Sequence, residues 1–302
     1  MEEIKGYKSG FIAVVGRTNV GKSTLLNCIL GQKLSIISNK PQTTRNNIRC
    51  IRTTENSQMV FIDTPGFHKP KSKLGELMVD AADSMIQDAD VVLFLVEEDM
   101  SIGRGDQMLL EKMSNAQVPV ILVINKVDKI PREEVLEKIK MYQEYAFIDQ
   151  IIPVSALKGE NVQELITVIE SYLPEGPQFF PEDMVTDRQE RFIVAEIIRE
   201  KILNCLQQEI PHGTAVEIMN MKLRDNQELY DIEATIYCEK KSHKSIIIGK
   251  NGVMLKKIGI QARQDIEQLL ETRVNLKLWV KLRDDWRDKA FDLKDLGYKE
   301  DY

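Results

Sequence analysis

The chain has 302 residues, of which 43% are hydrophobic and 29% charged, a composition ordinary for globular domains. No apolar run reaches the roughly 18 residues that a membrane span requires. The four scattered cysteines argue against a disulfide framework or a zinc site, so a cytoplasmic protein is predicted. The net charge of −6 is uneven: residues 1–184 hold 20 basic and 26 acidic residues, whereas residues 185–302 hold 21 of each. A nucleic-acid site in the second part would therefore be a local basic patch.

The first part of the chain alternates short apolar runs with segments of helical spacing. The runs are nearly continuous, as expected for strands that are buried on both faces of a parallel sheet. They occupy residues 11–15, 59–62, 91–96, 120–124 and 151–154. Residues 47–53 alternate better and are predicted to form an antiparallel edge strand. These features predict a doubly wound, mostly parallel α/β domain over residues 1–173.

Three prolines and one glycine within residues 174–184 predict an extended linker. A smaller α+β domain is predicted beyond it, over residues 185–302. Its elements are predicted in the order helix, strand, strand, two helices, strand and a helical tail. The corresponding ranges are residues 187–207, 214–223, 229–238, the two helices around 249–252, then 274–282 and 284–297.

Residues 16–23, with the sequence GRTNVGKS, match the pattern G-x-x-x-x-G-K-[ST] between an apolar strand and a helical segment. Glycines let backbone amide groups approach phosphate, and the helix N-terminus adds partial positive charge. Lys22 is predicted to reach the β- and γ-phosphates, and the Ser23 hydroxyl to ligate Mg²⁺. The predicted nucleotide contacts from this phosphate loop are Gly16, Arg17, Thr18, Asn19, Val20, Gly21, Lys22, Ser23 and Thr24.

A second motif, DTPG, follows the apolar run at residues 59–62. Asp63 is predicted to lie near the metal, and the Gly66 amide to bind the γ-phosphate. The predicted nucleotide contacts of this motif are Asp63, Thr64, Pro65 and Gly66. A threonine of the preceding loop, either Thr43 or Thr44, is expected to complete the metal site. The predicted metal ligands are Ser23, Thr44 and Asp63, with Thr43 as the alternative to Thr44.

A third motif, NKVD at residues 125–128, selects the base. A carboxylate can accept hydrogen bonds from the guanine N1–H and exocyclic amine, whereas adenine offers neither donor in that arrangement. Asp128 is therefore predicted to select GTP and GDP. Asn125 is expected to hydrogen-bond guanine and the phosphate loop, and Lys126 to lie over the ring. The predicted set ends with Ser155, Ala156 and Leu157, with the Ala156 amide donating to guanine O6.

These motifs and the sequence PQTTR at residues 41–45 resemble the Ras-like GTPases of translation, and the forms GRxNVGKSTLLN and QTTR are similar to the Era branch. The resemblance covers nearly the whole chain. It implies a GTP-hydrolysing enzyme that binds GTP or GDP together with Mg²⁺. The catalytic residues implied in this way are Asn19, Lys22, Thr44, Asp63 and Gly66.

The position that orients water in Ras-type enzymes differs in this chain. Those enzymes place a glutamine directly after the DxxG glycine, whereas this chain has Phe67 there. A phenyl ring cannot polarise water, so hydrolysis requires another route. The resemblance implies that Asn19 helps to hold a K⁺ beside the phosphates. Arg17 and Arg45 are alternative positive charges, and His68 is an alternative base.

The second domain contains the sequence IIIGKNG at residues 246–252, in which a G-x-x-G turn lies between two helical segments. Such a turn allows a nucleic-acid backbone to approach closely, and nearby lysines form a local basic patch. In its order of elements the domain resembles a type II KH domain, which implies RNA binding. The predicted RNA contacts are Lys244, Ile248, Gly249, Lys250, Asn251, Gly252, Lys256 and Lys257.

The resemblance to the Era branch implies the 3′ end of 16S ribosomal RNA as the ligand and a role in 30S subunit assembly. It also implies peripheral association with the cytoplasmic face of the cell membrane, and a monomer is predicted. The apolar stripe of residues 191–206 is predicted to be core, with membrane contact as the alternative. Trp279 and Trp286 are predicted to pack inside, with base-stacking platforms as the alternative. The competing function is an RNA-binding assembly protein or chaperone in which GTP hydrolysis is incidental.

Overall fold

A six-stranded sheet forms the centre of the first part of the chain. The structure is a computed structural model, and it describes residues 6–38, 40, 43–66, 72–99, 101–225 and 228–298. The strands are β1 (Lys8–Gly16), β2 (Ile48–Thr53), β3 (Ser57–Asp63), β4 (Val91–Val96), β5 (Val120–Ile124) and β6 (Gln150–Pro153). Their order is β2-β3-β1-β4-β5-β6, and the pairs are parallel except β2–β3. The predicted α/β domain with an antiparallel edge strand is confirmed.

Helices cover both faces of this sheet. They are α1 (Lys22–Leu30), α2 (Lys73–Gln87), α3 (Arg104–Met113), α4 (Arg132–Gln143) and α5 (Val162–Tyr172). Every residue of β4 and β5 is buried, which explains why their sequences are continuous apolar runs rather than alternating ones. On one face, Leu109 and Met113 of α3 pack against Phe94 and Leu122 of the sheet. Because these strands run parallel, the loops that follow them lie at one edge of the sheet, where ligands bind in such folds.

The polypeptide divides into two compact units, and the division does not follow chain order alone. The second unit contains the described residues of 36–43, 70–77 and 188–302, and the first unit contains the others. The segment predicted as a linker makes main-chain hydrogen bonds within the first unit, from Ser9 to Pro174 and from Gly176 to Tyr7. Two short segments that precede and follow the DTPG strand are thus grouped with the second unit.

The second unit is an α+β domain with a three-stranded sheet. Its elements are α6 (Glu190–Cys205), β7 (Thr214–Leu223), β8 (Leu229–Cys238), α7 (Lys241–Ile248), α8 (Val253–Leu270), β9 (Arg273–Leu282) and α9 (Ala290–Asp295). Strands β7 and β8 are antiparallel, whereas β8 and β9 are parallel, so β9 is an edge strand. The helices pack on one face, where Ile198 and Ile202 of α6 contact a core that includes Ile232 and Ile236 of β8. The predicted order of elements is confirmed.

The burial of side chains tests the predictions made for α6 and for the two tryptophans of this unit. The apolar residues of α6 are in the core, since Ile198 and Ile202 are fully buried. Trp286 is also buried and donates from its indole N–H to the Gly213 carbonyl, at 3.0 Å. The prediction that Trp279 packs inside is wrong, because its side chain is 43% exposed. None of the helices in the described part of the chain is both long enough and apolar enough to cross a membrane.

Candidate functional site

The phosphate loop connects β1 to α1 in a conformation that depends on residues with positive φ. Asn19 has φ +69° and Gly21 has φ +98°, in the left-handed region that glycine and asparagine adopt most easily. Gly21 caps the N-terminus of α1 and has no side chain that could hydrogen-bond the amide groups of the first turn. Those amide groups can therefore donate to an anion bound in the loop.

Lys22 lies across the phosphate loop and stabilises its curvature. Its ammonium group donates to the carbonyl oxygens of Gly16 and Arg17, at 3.0 and 2.9 Å. Burial lowers the pKa of Lys22 to about 8, against the opposing attraction of Asp63. The loop therefore presents a buried ammonium group that an anionic ligand would keep protonated.

The three predicted metal-ligating residues converge beside the phosphate loop. The Ser23 hydroxyl is 3.0 Å from the Asp63 carboxylate and 3.1 Å from the Thr44 hydroxyl, and Thr44 lies 3.4 Å from the same carboxylate oxygen. Asp63 is fully buried, which raises its pKa, and its Oδ1 has no hydrogen-bond partner among the described residues. A hard oxygen-ligated cation such as Mg²⁺ fits this set, because it would neutralise the buried carboxylate.

The structure distinguishes the two threonines that the sequence left open. The Thr43 hydroxyl donates to the Lys40 carbonyl, at 2.6 Å, and is not part of the cluster formed by Ser23, Thr44 and Asp63. The Thr44 hydroxyl is buried within that cluster. Geometry therefore favours Thr44 as the threonine that can reach a cation there.

The DTPG segment contacts the phosphate loop directly. Thr64 donates from its hydroxyl to the Val14 carbonyl, at 2.6 Å, which ties the segment to β1. A Cβ atom on Gly66 would lie 2.9 Å from the backbone nitrogen of Thr18, so a side chain at position 66 would force the two loops apart. The next residues, Phe67 and His68, lie outside the described residues.

Asn125 joins three segments around the predicted base site. Its side-chain amide donates to the Val20 carbonyl of the phosphate loop, at 2.8 Å. Its carbonyl oxygen accepts from the backbone amides of Lys126 and Ala156, at 2.8 and 3.0 Å. The Ala156 amide, which was predicted to donate to guanine, thus donates to Asn125 in this structure. Asn125 therefore fixes the phosphate loop relative to both base-binding loops, at residues 125–128 and 155–157.

Asp128 is positioned by the second base-binding loop. Its Oδ1 accepts a 2.6 Å hydrogen bond from the Ser155 hydroxyl, and this bond lowers the pKa of Asp128. Ser155 is fully buried, whereas Leu157 is exposed at the surface. Asp128 therefore presents an ionised carboxylate with one oxygen already hydrogen-bonded, which suits it to accept from two neighbouring donors.

Two acidic residues near the site were missed by the sequence analysis. Glu97 lies 2.7 Å from the Lys126 ammonium and 3.7 Å from the Arg17 guanidinium, and Asp106 lies 3.0 Å from Arg17. Arg17, predicted to contact the nucleotide, therefore directs its side chain towards the start of α3. The position of Glu97 in the sequence could have indicated it, because Glu97 follows directly after β4, and residues at such strand ends often line the ligand site. Arg45, the other alternative positive charge for hydrolysis, is buried.

The G-x-x-G turn of the second unit connects α7 to α8. Gly249 has φ +73° and ψ 170°, a conformation reserved for glycine, and Gly252 has φ +77°. A Cβ atom on Gly249 would lie 2.9 Å from the Met254 backbone nitrogen. Lys250 and Asn251 are exposed at the tip of the turn. The turn can therefore present backbone and one ammonium group to a ligand.

A groove of about 380 Å³ lies beside this turn. It is lined by Gly252, Leu255, Lys256, Gly259, Ile260, Arg263, Leu276 and Leu278. Gly252 and Lys256 were predicted as RNA contacts, whereas the other lining residues of α8 and β9 were not named from the sequence. Gly259 within a helix could have indicated the groove from the sequence, since its missing side chain leaves space beside Leu278. Lys244 and Ile248 lie on α7, and Lys257 is exposed on α8 but does not line the groove.

Comparisons with known protein families match both units. The family model described as a 50S ribosome-binding GTPase matches residues 11–126, and the KH domain model matches residues 209–287. The GTPase Era of Clostridium kluyveri is 55% identical over 292 residues, which cover 97% of this chain and 99% of that protein. The GTPase Era of Alkaliphilus metalliredigens is 56% identical over 293 residues, with the same coverage.

Solved structures give the same assignment. Era in complex with MgGDPNP and nucleotides 1506–1542 of 16S ribosomal RNA matches with a TM-score of 0.92 and 42% identity, covering 97% of this chain and 100% of that chain. A variant of Era from Aquifex aeolicus bound to GDP·AlF4⁻ matches with a TM-score of 0.92, 41% identity and the same coverage. With relatives that are more than half identical over almost its whole length, this chain belongs to the Era family of GTPases.

Proposed function

We propose that this chain is a GTP-hydrolysing switch that binds the 3′ end of 16S ribosomal RNA through its KH domain and assists assembly of the 30S subunit. The observation that carries the proposal is the convergence of Ser23, Thr44 and Asp63 beside a phosphate loop that Asn125 links to the base-binding loops. The KH domain of the same chain supplies the RNA groove. The match to an Era structure that contains both MgGDPNP and 16S ribosomal RNA supports this pairing of ligands.

Nucleotide binding follows from the positions of these groups. Asp128 accepts from guanine, and its hydrogen bond to Ser155 keeps the carboxylate ionised and oriented. Lys22 and the amide groups at the start of α1 bind the phosphates. Ser23, Thr44 and Asp63 hold Mg²⁺, which supplies charge neutralisation at the phosphates when it is bound. Gly66 allows the DTPG segment to lie close to Thr18 of the phosphate loop, next to the γ-phosphate position.

Hydrolysis requires a route other than a water-orienting glutamine, because the residue after Gly66 is Phe67. We propose that Asn19, whose left-handed conformation is fixed within the phosphate loop, helps to hold K⁺ there. Arg17 is less suited to this role, because its guanidinium lies 3.0 Å from Asp106. Hydrolysis is expected to be faster in K⁺ than in Na⁺, and the Asn19→Ala variant is expected to lose the difference.

The control for that experiment is Asn161→Ala, which places alanine at another left-handed position, at the start of α5. It should keep the K⁺ response. Thermal stabilisation by GDP, measured in K⁺ and in Na⁺, gives a readout that does not depend on turnover. Equal hydrolysis rates in the two salts for the wild-type protein would contradict the role of K⁺.

RNA binding is tested by charge removal at the G-x-x-G turn. An RNA that corresponds to nucleotides 1506–1542 should bind more weakly to Lys250→Gln, and the slope of log affinity against log salt should fall by about 1. Lys140→Gln removes the same charge from the exposed surface of α4 and is the matched control. If both variants bind this RNA like the wild type, the turn is not the RNA site.

The competing function is an RNA-binding assembly protein or chaperone in which hydrolysis is incidental. Lys22→Ala should abolish nucleotide binding and leave the KH groove intact, since Lys22 stabilises only the phosphate loop. Replacement of the chromosomal copy with this variant should cause accumulation of immature 30S particles. Normal 30S maturation with the variant would favour the competing function.

The proposal includes a monomer in the cytoplasm with peripheral association at the cytoplasmic face of the membrane. Helix α6 does not supply the membrane surface, because its apolar residues are buried in the core of the KH domain. Sedimentation with anionic vesicles tests the association, and light scattering tests the monomer. Absence of the protein from the vesicle pellet would remove the membrane from the proposal.

A further inference from the structure

The exposed face of β9 carries an aromatic residue between two lysines. Strand side chains alternate, so Leu276 and Leu278 face the helices and line the RNA groove, whereas Lys277, Trp279 and Lys281 point to the opposite face. We call these three residues the β9 outer face. Trp279 is 43% exposed, whereas Trp286, the other tryptophan of the chain, is fully buried.

The neighbours of Trp279 leave its ring accessible. Its partner across the sheet is Thr235, a small and buried residue on β8. The next residue across is Glu217 on β7, and its carboxylate accepts from the Tyr237 hydroxyl, at 2.8 Å. Tyr237 lies two residues from Thr235 along β8 and on the same face, so the 43% exposed indole belongs to an aromatic surface that a ligand can cover.

The charges of this strand suit a nucleic acid. Strand β9 contains Arg273, Lys277 and Lys281 and no acidic residue. Lys277 is 55% exposed and lies 3.3 Å from Glu233, the acidic residue opposite it on β8. The two lysines each lie about 7 Å from Trp279 along the strand, which places positive charge on both sides of the ring. Aromatic rings with flanking basic residues are the usual platform for an unpaired base and its phosphates.

The β9 outer face is continuous with the RNA groove through a single strand. Because β9 is the edge strand, an RNA that leaves the groove past Leu278 meets the outer face without crossing another strand. A G-x-x-G groove accommodates about four nucleotides, so a longer single strand must continue elsewhere on the surface.

We propose that single-stranded RNA leaving the groove crosses the β9 edge and stacks a base on Trp279, with its phosphates beside Lys277 and Lys281. This inference rests on the proposed RNA-binding function and extends it to a second contact surface. The occupant is RNA rather than protein, because β9 is basic and continuous with the groove.

The two tryptophans make the proposal directly measurable. Trp286 is buried, so quenching of fluorescence by acrylamide reports mainly on Trp279. A single-stranded RNA of about ten nucleotides from the 16S 3′ end should reduce that quenching, whereas an RNA of about four nucleotides that fills only the groove should not. A protection that is equal for the two RNAs would overturn the proposal.

Affinity measurements provide the second test. Trp279→Ala should weaken binding of the longer RNA about tenfold and leave binding of the shorter RNA unchanged, and Trp279→Phe should retain most of the affinity. Phe291→Ala, at a 77% exposed aromatic residue on α9, is the matched control and should change neither. Thermal unfolding of each variant shows whether the fold is retained.

The remaining outcomes are distinguishable. Equal loss for both RNAs in Trp279→Ala would indicate a structural effect and overturn the proposal. Normal binding of both RNAs, with weaker binding of the variant to 30S particles, would indicate a protein partner and would also overturn it. If the wild-type protein bound neither RNA, the proposed RNA-binding function itself would fail.

Discussion

The phosphate loop and the G-x-x-G turn both place a left-handed glycine at the start of a helix, but their surroundings differ. Gly21 begins α1 with φ +98° and Gly252 begins α8 with φ +77°, and neither helix has a side-chain cap. A Cβ atom on Gly21 would lie 2.2 Å from the side-chain amide of Asn125. A Cβ atom on Gly252 would meet nothing within 4 Å. The same local conformation therefore occurs once inside a packed site and once on an open surface.

This difference predicts two different modes of phosphate binding at the two loops. The phosphate loop is stabilised by two buried groups, the Lys22 ammonium and the side-chain amide of Asn125, so its conformation is supported by the protein's own contacts. The G-x-x-G turn relies on its own backbone and on exposed lysines, and RNA binding there should depend on salt. We therefore expect larger and more specific effects from substitutions at the nucleotide site.

The largest effect is expected at Asp128. Asp128→Asn should weaken GTP binding about 10³-fold, because truncating one partner of a charge-assisted hydrogen-bonded pair costs about 2–5 kcal/mol. Ser155→Ala should cost less, since it removes only the hydrogen bond that orients the carboxylate. Fluorescent nucleotide titrations measure both, and the variants should bind RNA like the wild type. A loss for Asp128→Asn no larger than that for Ser155→Ala would show that Asp128 does not select the base.

Glycine substitution compares the two loops directly. Gly21→Ala should weaken nucleotide binding about 10²-fold, since the new methyl group displaces Asn125 and with it the hydrogen bond to Val20. Gly252→Ala should weaken RNA binding by only about tenfold, because the left-handed conformation costs about 1–2 kcal/mol and no clash is added. Titrations with nucleotide and with RNA measure the two effects, each variant serving as the control for the other. Losses of equal size would contradict the distinction between a packed site and an open one.

The pKa of Lys22 predicts a pH dependence of nucleotide binding. In the free protein burial lowers this pKa to about 8, and bound phosphates should raise it, so binding takes up a proton at higher pH. Affinity for GDP should be constant below about pH 7 and should fall by up to tenfold per pH unit above about 8. Calorimetry in two buffers of different ionisation enthalpy measures the proton uptake. Lys129→Gln, at an exposed lysine near the base site, should keep this dependence, and a flat profile in the wild type would contradict it.

The sequence predicted those parts of the fold and site that are local in the chain. The runs at residues 91–96 and 120–124 correspond to strands that are buried on both faces, so their periodicity was informative. The phosphate loop and the G-x-x-G turn depend on glycines whose spacing is itself the signal. The family resemblance supplied the 16S ribosomal RNA, which no residue pattern in the chain specifies.

The features that the sequence could not predict arise from contacts between distant segments. The choice between Thr43 and Thr44 depends on which hydroxyl points towards Ser23, and two adjacent threonines have the same local signal. Trp279 was predicted to be a packing residue, but strand alternation places it on the face of the sheet opposite the helices. The pairing of Glu97 with both Lys126 and Arg17 joins residues from three loops, and composition carries no information about it.

The smallest effect is expected from Glu97, which connects the phosphate loop to the first base-binding loop. Glu97→Gln removes an ion pair with Lys126 at 2.7 Å, between groups that are largely shielded from solvent, and the weaker attraction to Arg17. GDP should dissociate roughly fivefold faster, which corresponds to about 1 kcal/mol, since shielded ion pairs contribute more binding free energy than exposed ones.

Glu98→Gln is the matched control, because Glu98 pairs at 2.9 Å with Lys129, whose side chain is 54% exposed. That pair should contribute little, and its variant should release GDP at the wild-type rate. Because salt screens such pairs, the difference between the variants should shrink as KCl is raised. Equal dissociation rates for the two variants at low salt would show that Glu97 does not stabilise the site and that the hydrogen bonds of Asn125 suffice to hold the loops together.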